Sequence, residues 1–114
     1  MRNICLFLIF LLGFLASFCL AKTELPGKAI FYNSKGKFGT CNTCHSNGGS
    51  AGRFDPTIGQ ISQDEGRKIP SLKGIGSRKE PDQIQRDVEL MKKMFGFKLT
   101  NEQIKQLTDY VTTL

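Results

Sequence analysis

The chain has 114 residues, of which 16 are Lys or Arg, 10 are Asp or Glu and one is His, and its formal net charge is +6 at pH 7. This length allows one small domain. The basic residues are scattered along the chain, which argues against nucleic-acid binding and favours a solvated surface that also steers acidic protein partners.

Residues 1–21 have the pattern of a secretory signal peptide: a short basic start, an apolar run and a small residue, Ala21, at the end. An uncleaved N-terminal membrane anchor is the competing interpretation. Lipoprotein cleavage before Cys19 is disfavoured, because Phe18 stands where a small residue is needed. We therefore predict cleavage after Ala21, a periplasmic or otherwise exported location, and one mature domain spanning residues 22–114.

Three helices are predicted in the mature chain. The first begins at Pro26, where the missing N–H costs little, and is broken by residues 33–36. The second begins at Pro81 and ends at Gly96, and a capping box at residues 100–103 opens the terminal helix. The apolar stripes are Ile84, Val88, Met91 and Phe95 in the second helix, and Ile104, Leu107, Tyr110, Val111 and Leu114 in the terminal helix.

The segment between the first two helices is predicted to be a loop over residues 46–66, because it is rich in Gly, Ser and Asp. No segment of the mature chain alternates polar and apolar residues over enough length to predict a strand. The domain is therefore predicted to be all-α.

The segment Cys41-Asn42-Thr43-Cys44-His45 carries the candidate chemistry. Cys-x-x-Cys-His is the spacing at which two thiols bind a haem covalently and the next histidine ligates its iron. On a short helical turn, two cysteines at this spacing present both sulfurs to one edge of a flat macrocycle. The segment predicts one covalent haem c, with Cys41 and Cys44 as thioether links and His45 as the proximal iron ligand.

A disulfide, a zinc site and a redox dithiol are the alternatives for this motif. Zinc would need another cysteine or a second histidine, and the mature chain has neither beyond Cys41, Cys44 and His45. A redox dithiol normally opens a helix that follows a strand in a βαβ unit, and no such alternation flanks this one. A local disulfide is the main alternative that stays open.

Together these features resemble class I cytochrome c over the whole mature chain. Gly27 and Phe31 match the glycine and the aromatic residue of that family's first helix, and Leu107 and Tyr110 match the Leu-x-x-Tyr of its last helix. The resemblance implies a small all-α cytochrome c fold, with three to four helices wrapped around one covalently attached haem. It also implies that the first and last helices cross through these residues.

Residues 70–74, Pro-Ser-Leu-Lys-Gly, are similar to the Pro-x-Leu-x-Gly segment of the same family. The resemblance implies that the carbonyl of Pro70 accepts a hydrogen bond from the second ring nitrogen of His45. Such a bond fixes the imidazole tautomer and raises its basicity as a metal ligand. The alternative is that Pro70 is an ordinary loop proline.

The chain departs from that family at the sixth iron ligand, because most class I members carry a Met-Pro pair before the last helix and this chain has none. Met94 stands five residues before Leu99, as the ligand does in short bacterial members, and is the preferred distal ligand. Met91 lies on the apolar face of the second helix and is the alternative, either as ligand or as core. If neither methionine binds the iron, its sixth coordination position is open or only weakly occupied.

The distal ligand decides the predicted function. Imidazole and thioether ligation would make the domain a one-electron carrier, whereas an open position would suit an NO-, CO- or O₂-binding module or a small haem subunit of a larger complex. Peroxide chemistry is unsupported, because no second histidine exists and Arg53, Arg67 or Arg78 would have to act unaided. Arg53 could instead pair with a haem propionate.

We therefore predict an exported monohaem carrier that is not an enzyme. Its predicted partners are larger redox proteins or a membrane respiratory complex with acidic docking surfaces, and neither a nucleic acid nor a small-molecule substrate is expected.

Overall fold

The computed structural model describes residues 23–114, and the predicted signal peptide, residues 1–21, lies outside them. This part of the chain forms five α-helices, one short 3₁₀ helix (Ser46–Gly48) and one small sheet. The helices are α1 (Pro26–Asn33), α2 (Cys41–Cys44), α3 (Ile75–Arg78), α4 (Pro81–Phe95) and α5 (Asn101–Thr112), and the strands are β1 (Arg53–Asp55), β2 (Gln60–Ser62) and β3 (Arg67–Lys68). No helix among residues 23–114 has the length and apolar character that crossing a membrane requires.

The three long helices α1, α4 and α5 begin where the sequence predicts, and α1 and α4 also end there. Pro26 and Pro81 occupy the first turns of α1 and α4, and Gly96 ends α4 with a φ of 68°, in the left-handed region that favours glycine. At the start of α5, the Gln103 N–H donates to Thr100 Oγ1 at 3.1 Å and the Thr100 N–H donates to Gln103 Oε1 at 2.9 Å. This reciprocal capping box confirms the predicted start of α5.

Two further helices, α2 and α3, bring the total above the three to four that the sequence predicts. Each has only four residues, so neither is long enough to show a helical repeat of apolar positions. The undercount therefore follows from the length of these helices.

The crossing of α1 and α5 forms the centre of the core. Gly27 allows the two backbones to approach, since a methyl group added there would lie 2.7 Å from Tyr110 Cβ and inside van der Waals contact of the Gln106 carbonyl oxygen. Phe31, which is 1% exposed, packs its ring edge against Tyr110 with centroids 5.5 Å apart. Buried apolar residues of α3, α4 and the segment before α5 complete this core: Ile75, Ile84, Val88 and Leu99.

The prediction that residues 46–66 form a loop is wrong at residues 53–55 and 60–62, which are strands, and the prediction that the domain has no strand is wrong as well. Strands β1, β2 and β3 form an antiparallel sheet in the order β2-β1-β3, with Phe54 opposite both Ile61 and Arg67. Each strand has two or three residues, which is too short for an alternating pattern to appear in the sequence. The sheet contributes to the functional site, because it brings Phe54 and Arg67 to the edge of that site.

We expect Gly27→Ala to destabilise the protein by about 3 kcal/mol, because the added methyl group forces α1 away from α5. The matched control is Ala29→Gly on the exposed side of α1, which should cost only about 1 kcal/mol through helix propensity. Denaturant unfolding of the intact protein measures both. Equal effects of the two substitutions would contradict the close crossing of α1 and α5.

Candidate cofactor site

The single-turn helix α2 fixes the spacing of the two thiols. Thr40 precedes the helix, and its backbone N–H donates to Thr43 Oγ1 at 3.0 Å, while the His45 N–H donates to the Cys41 carbonyl at 2.9 Å. Cys41 and Cys44 are therefore one helical turn apart, and both are half-buried thiols that line the same cavity as His45. The structure thus brings together the three residues of the predicted attachment motif.

The imidazole of His45 is oriented by the backbone of the Pro70 segment. Its Nδ1 lies 3.0 Å from the Pro70 carbonyl oxygen. A carbonyl can only accept, so Nδ1 carries the proton and Nε2 is left with a free lone pair, as a metal ligand needs. Burial lowers the pKa of His45, and the carbonyls of Pro70 and Gly49 oppose that shift, so the neutral imidazole is favoured.

The Pro70 carbonyl is itself held in place by the residues on either side of it. The Ile69 N–H donates to the Gly52 carbonyl at 2.9 Å and the Leu72 N–H donates to the Gly48 carbonyl at 2.8 Å. Arg78 reaches back from α3, where its guanidinium donates to the carbonyls of Lys73 at 2.7 Å and Ser71 at 3.3 Å. The acceptor for His45 is therefore part of a fixed loop.

The two cysteines do not have the properties of a redox dithiol. Burial raises the pKa of Cys41 to about 11 and also raises the pKa of Cys44, whereas a reactive dithiol needs a lowered thiol pKa. No group of three or more His, Cys, Asp or Glu residues among residues 23–114 could hold a metal ion such as zinc. The pair therefore fits neither a redox dithiol nor a zinc site.

The motif opens onto a cavity of about 830 Å³, which lies in the size range of cofactor sites. Its walls are mainly apolar and come from helices α1, α4 and α5 and from the loop before α3. Representative wall residues are Phe31, Ile69, Leu72, Ile84, Val88 and Leu107. An apolar cavity of this size, lined by two thiols and one oriented imidazole, fits a large cofactor that is held covalently.

Both candidate distal ligands lie on the α4 wall of this cavity. Met91 and Met94 are three positions apart, so they share one face of the helix, and both line the cavity. Met91 is half-buried, while 51% of Met94 is exposed. The structure brings both thioethers to the cavity that contains His45.

Three phenylalanines at the cavity edge were not predicted as site residues. Phe38, Phe54 and Phe95 pack against one another, with ring centroids 5.1, 6.1 and 5.7 Å apart, and all three line the cavity. They come from the loop after α1, from β1 and from the end of α4. Because they belong to three separate elements, no local spacing in the sequence reveals the cluster.

A comparison with protein families identifies the family of the chain. The family model described as cytochrome c matches residues 25–114. The chain belongs to the cytochrome c family. Proteins of this family carry electrons on covalently bound haem c with its iron, and Cys41, Cys44 and His45 fit its attachment motif. The predicted family and cofactor are thereby confirmed. No curated protein and no solved structure gives a significant match.

The cavity of this cytochrome c has a basic rim that suits a cofactor with carboxylates. Arg67, Lys68, Arg78, Lys79 and Lys92 line it, and Lys79 pairs with Asp87 at 2.6 Å. Arg53, for which pairing with a haem propionate was one of two interpretations, is not among the lining residues. Its guanidinium instead donates to the Gly66 carbonyl at 2.8 Å and braces the sheet.

We expect Cys41→Ser/Cys44→Ser to abolish the haem signal of this cytochrome on a denaturing gel, because only a covalently bound haem stays with the unfolded chain. Haem staining normalised to protein checks this, with Thr43→Ser as a control that leaves both thiols in place. Retention of stain by the double serine variant would contradict attachment at these two positions.

Proposed function

We propose that this member of the cytochrome c family is an exported monohaem electron carrier, with iron ligated by His45 and a methionine thioether. The observation that supports this best is the composition of one cavity. It holds the Cys41 and Cys44 thiols, an imidazole whose Nδ1 is bonded to the Pro70 carbonyl, and the two thioethers of α4.

The bound haem would supply an iron that alternates between Fe(II) and Fe(III). His45 and a thioether would be ligands in both oxidation states, so little would rearrange when an electron arrives, and the soft sulfur would favour Fe(II) and raise the potential. The apolar cavity wall would also raise the reduction potential, because it excludes water from the charged iron centre. A closed iron of this kind suits electron transfer and not catalysis.

Met94 is the proposed distal ligand. It lies in the last turn of α4, two residues before the left-handed turn at Gly96, and it lines the cavity that contains His45. With 51% of its surface exposed, it contributes little to packing in its present position. Met91 continues the buried stripe of Ile84 and Val88 and is the alternative ligand.

Separate replacement of the two methionines tests this assignment. We expect Met94→Leu to abolish the iron–sulfur charge-transfer band of the oxidised protein, because leucine fills the same space without a ligand atom. Met91→Leu, the matched control on the same helix face, should keep the band. The reverse pattern would assign the ligand to Met91, and an unchanged band in both variants would contradict ligation by either.

The test of the function itself uses the wild-type protein. We expect the oxidised form to show the iron–sulfur band and the reduced form to bind carbon monoxide slowly, because a thioether must leave first. Absence of the band together with rapid binding of carbon monoxide would contradict the carrier and would point to a gas-binding module.

Export and partners complete the proposal. We propose cleavage after Ala21 and an exported domain of residues 22–114 that exchanges electrons with larger redox proteins or a membrane respiratory complex.

We expect the mature protein to be recovered from the periplasmic fraction and to begin at Lys22. Cell fractionation followed by N-terminal sequencing measures both. A chain that keeps residues 1–21 and sediments with membranes would instead indicate an anchor.

A further inference from the structure

The turn that follows the two cysteines, which we call the post-motif turn (residues 45–49), contains a residue in an unfavourable backbone conformation. Asn47 has φ 50° and ψ 35°, and it is the only residue other than glycine with a positive φ within residues 23–114. This left-handed region is disfavoured for side chains with a Cβ atom, although asparagine tolerates it better than most. Contacts with the rest of the chain are therefore needed to hold the post-motif turn in this shape.

Two side chains make these contacts, and one of them belongs to the attachment motif. The Asn47 N–H donates to Oδ1 of Asn42 at 2.8 Å. The Tyr32 hydroxyl donates to Oδ1 of Asn47 at 3.2 Å, which ties the turn to helix α1. Asn42 lies between the two cysteines and is half-buried. The motif itself therefore supplies one of the two side-chain bonds that fix the post-motif turn.

The post-motif turn is also connected to both ends of the hydrogen bond that orients the His45 imidazole. At one end, the turn begins at His45, whose carbonyl accepts the N–H of the buried Gly48 at 2.8 Å. At the other end, the Gly48 carbonyl accepts the Leu72 N–H at 2.8 Å. Leu72 stands two residues after Pro70, whose carbonyl lies 3.0 Å from His45 Nδ1. A shift of the turn would therefore move both the ring and its acceptor.

Thr43, the other residue between the cysteines, makes a bond of the same kind in a different direction. Its Oγ1 accepts the Thr40 N–H at 3.0 Å, at the start of α2, and lies 3.3 Å from the Thr40 hydroxyl. Each residue between the cysteines thus accepts one backbone N–H through its side chain. The bond of Asn42 leads to the post-motif turn, whereas the bond of Thr43 leads to the start of the helix.

From these contacts we propose that Asn42 is a positioning residue for the proximal iron ligand. By holding Asn47 and the post-motif turn, it sets the orientation of the His45 imidazole and the strength of the bond from His45 to Pro70. This inference rests on the proposed function, in which His45 ligates the iron. A strong bond at Nδ1 makes the imidazole more basic and favours Fe(III). Asn42 therefore tunes the reduction potential although it is not a ligand itself.

The test compares Asn42→Ala with Thr43→Ala in the purified haem-containing protein, because each removes one side-chain acceptor and leaves both cysteines and His45 in place. We expect Asn42→Ala to change the spread of the haem-methyl proton shifts of the oxidised form, which depends on the orientation of the imidazole plane. The His45 Nδ1 proton should exchange with solvent about fivefold faster. In a potentiometric titration, the ratio of Fe(II) to Fe(III) at a fixed potential should rise about threefold, because the imidazole is less basic. Thr43→Ala should leave all three measurements unchanged.

Two substitutions at position 47 test the role of the turn independently. Asn47→Gly and Asn47→Ala both lose the bond from Tyr32, and both keep the backbone N–H that Asn42 accepts. Glycine adopts the left-handed conformation without strain, whereas alanine does not. We therefore expect Asn47→Gly to keep the wild-type haem-methyl shifts and Asn47→Ala to change them as Asn42→Ala does. This pair decides the question if Asn42→Ala does not acquire haem, and equal shifts in the two variants would then overturn the proposal.

Equal changes in Asn42→Ala and Thr43→Ala would overturn the proposal, because the loss of any bond around α2 would then explain the effect. Unchanged shifts and proton exchange in Asn42→Ala would overturn it as well. Failure of the proposed function has a different signature, which is seen in the wild-type protein. An oxidised wild type without the low-spin spectrum that two strong axial ligands give would refute ligation by His45 and a thioether, and the role of Asn42 would fall with it.

Discussion

The hydrogen bond between His45 Nδ1 and the Pro70 carbonyl is the interaction on which the site depends. It leaves Nε2 unprotonated, and it holds the imidazole at the edge of the cavity beside Cys41 and Cys44. Its acceptor is fixed by the backbone bonds that Ile69 and Leu72, on either side of Pro70, donate to Gly52 and Gly48. Arg78 fixes it further through the neighbouring carbonyls. The backbone of two loops therefore sets the orientation of the His45 imidazole.

The helices supply the remainder of the site through packing. Gly27 lets α1 and α5 cross closely, and that crossing places Phe31 and Leu107 both in the buried core and on the cavity wall. A domain of this size buries a limited apolar core of its own. A covalently held haem would add apolar contacts where the chain has too few, so cofactor binding and folding are expected to stabilise one another.

The sequence predicts the long helices and the attachment motif because their signals are local. The start of α4 at Pro81, its end at Gly96 and the cap at Thr100 each depend on residues within a few positions, and the structure has them in the same places. Features that depend on residues far apart in the chain leave no local signal, so the sequence does not predict them. The strands are too short to alternate, and the aromatic cluster of Phe38, Phe54 and Phe95 joins three elements that only the fold brings together.

The assignment of a one-electron carrier is tested most directly by voltammetry of the purified protein on an electrode. If the iron keeps imidazole and thioether ligands in both oxidation states, the account predicts one reversible one-electron wave whose peak separation stays small as the scan rate rises. A wave that becomes irreversible, or that splits into two couples on repeated cycling, would mean that a ligand is lost or exchanged on reduction. That result would contradict the account.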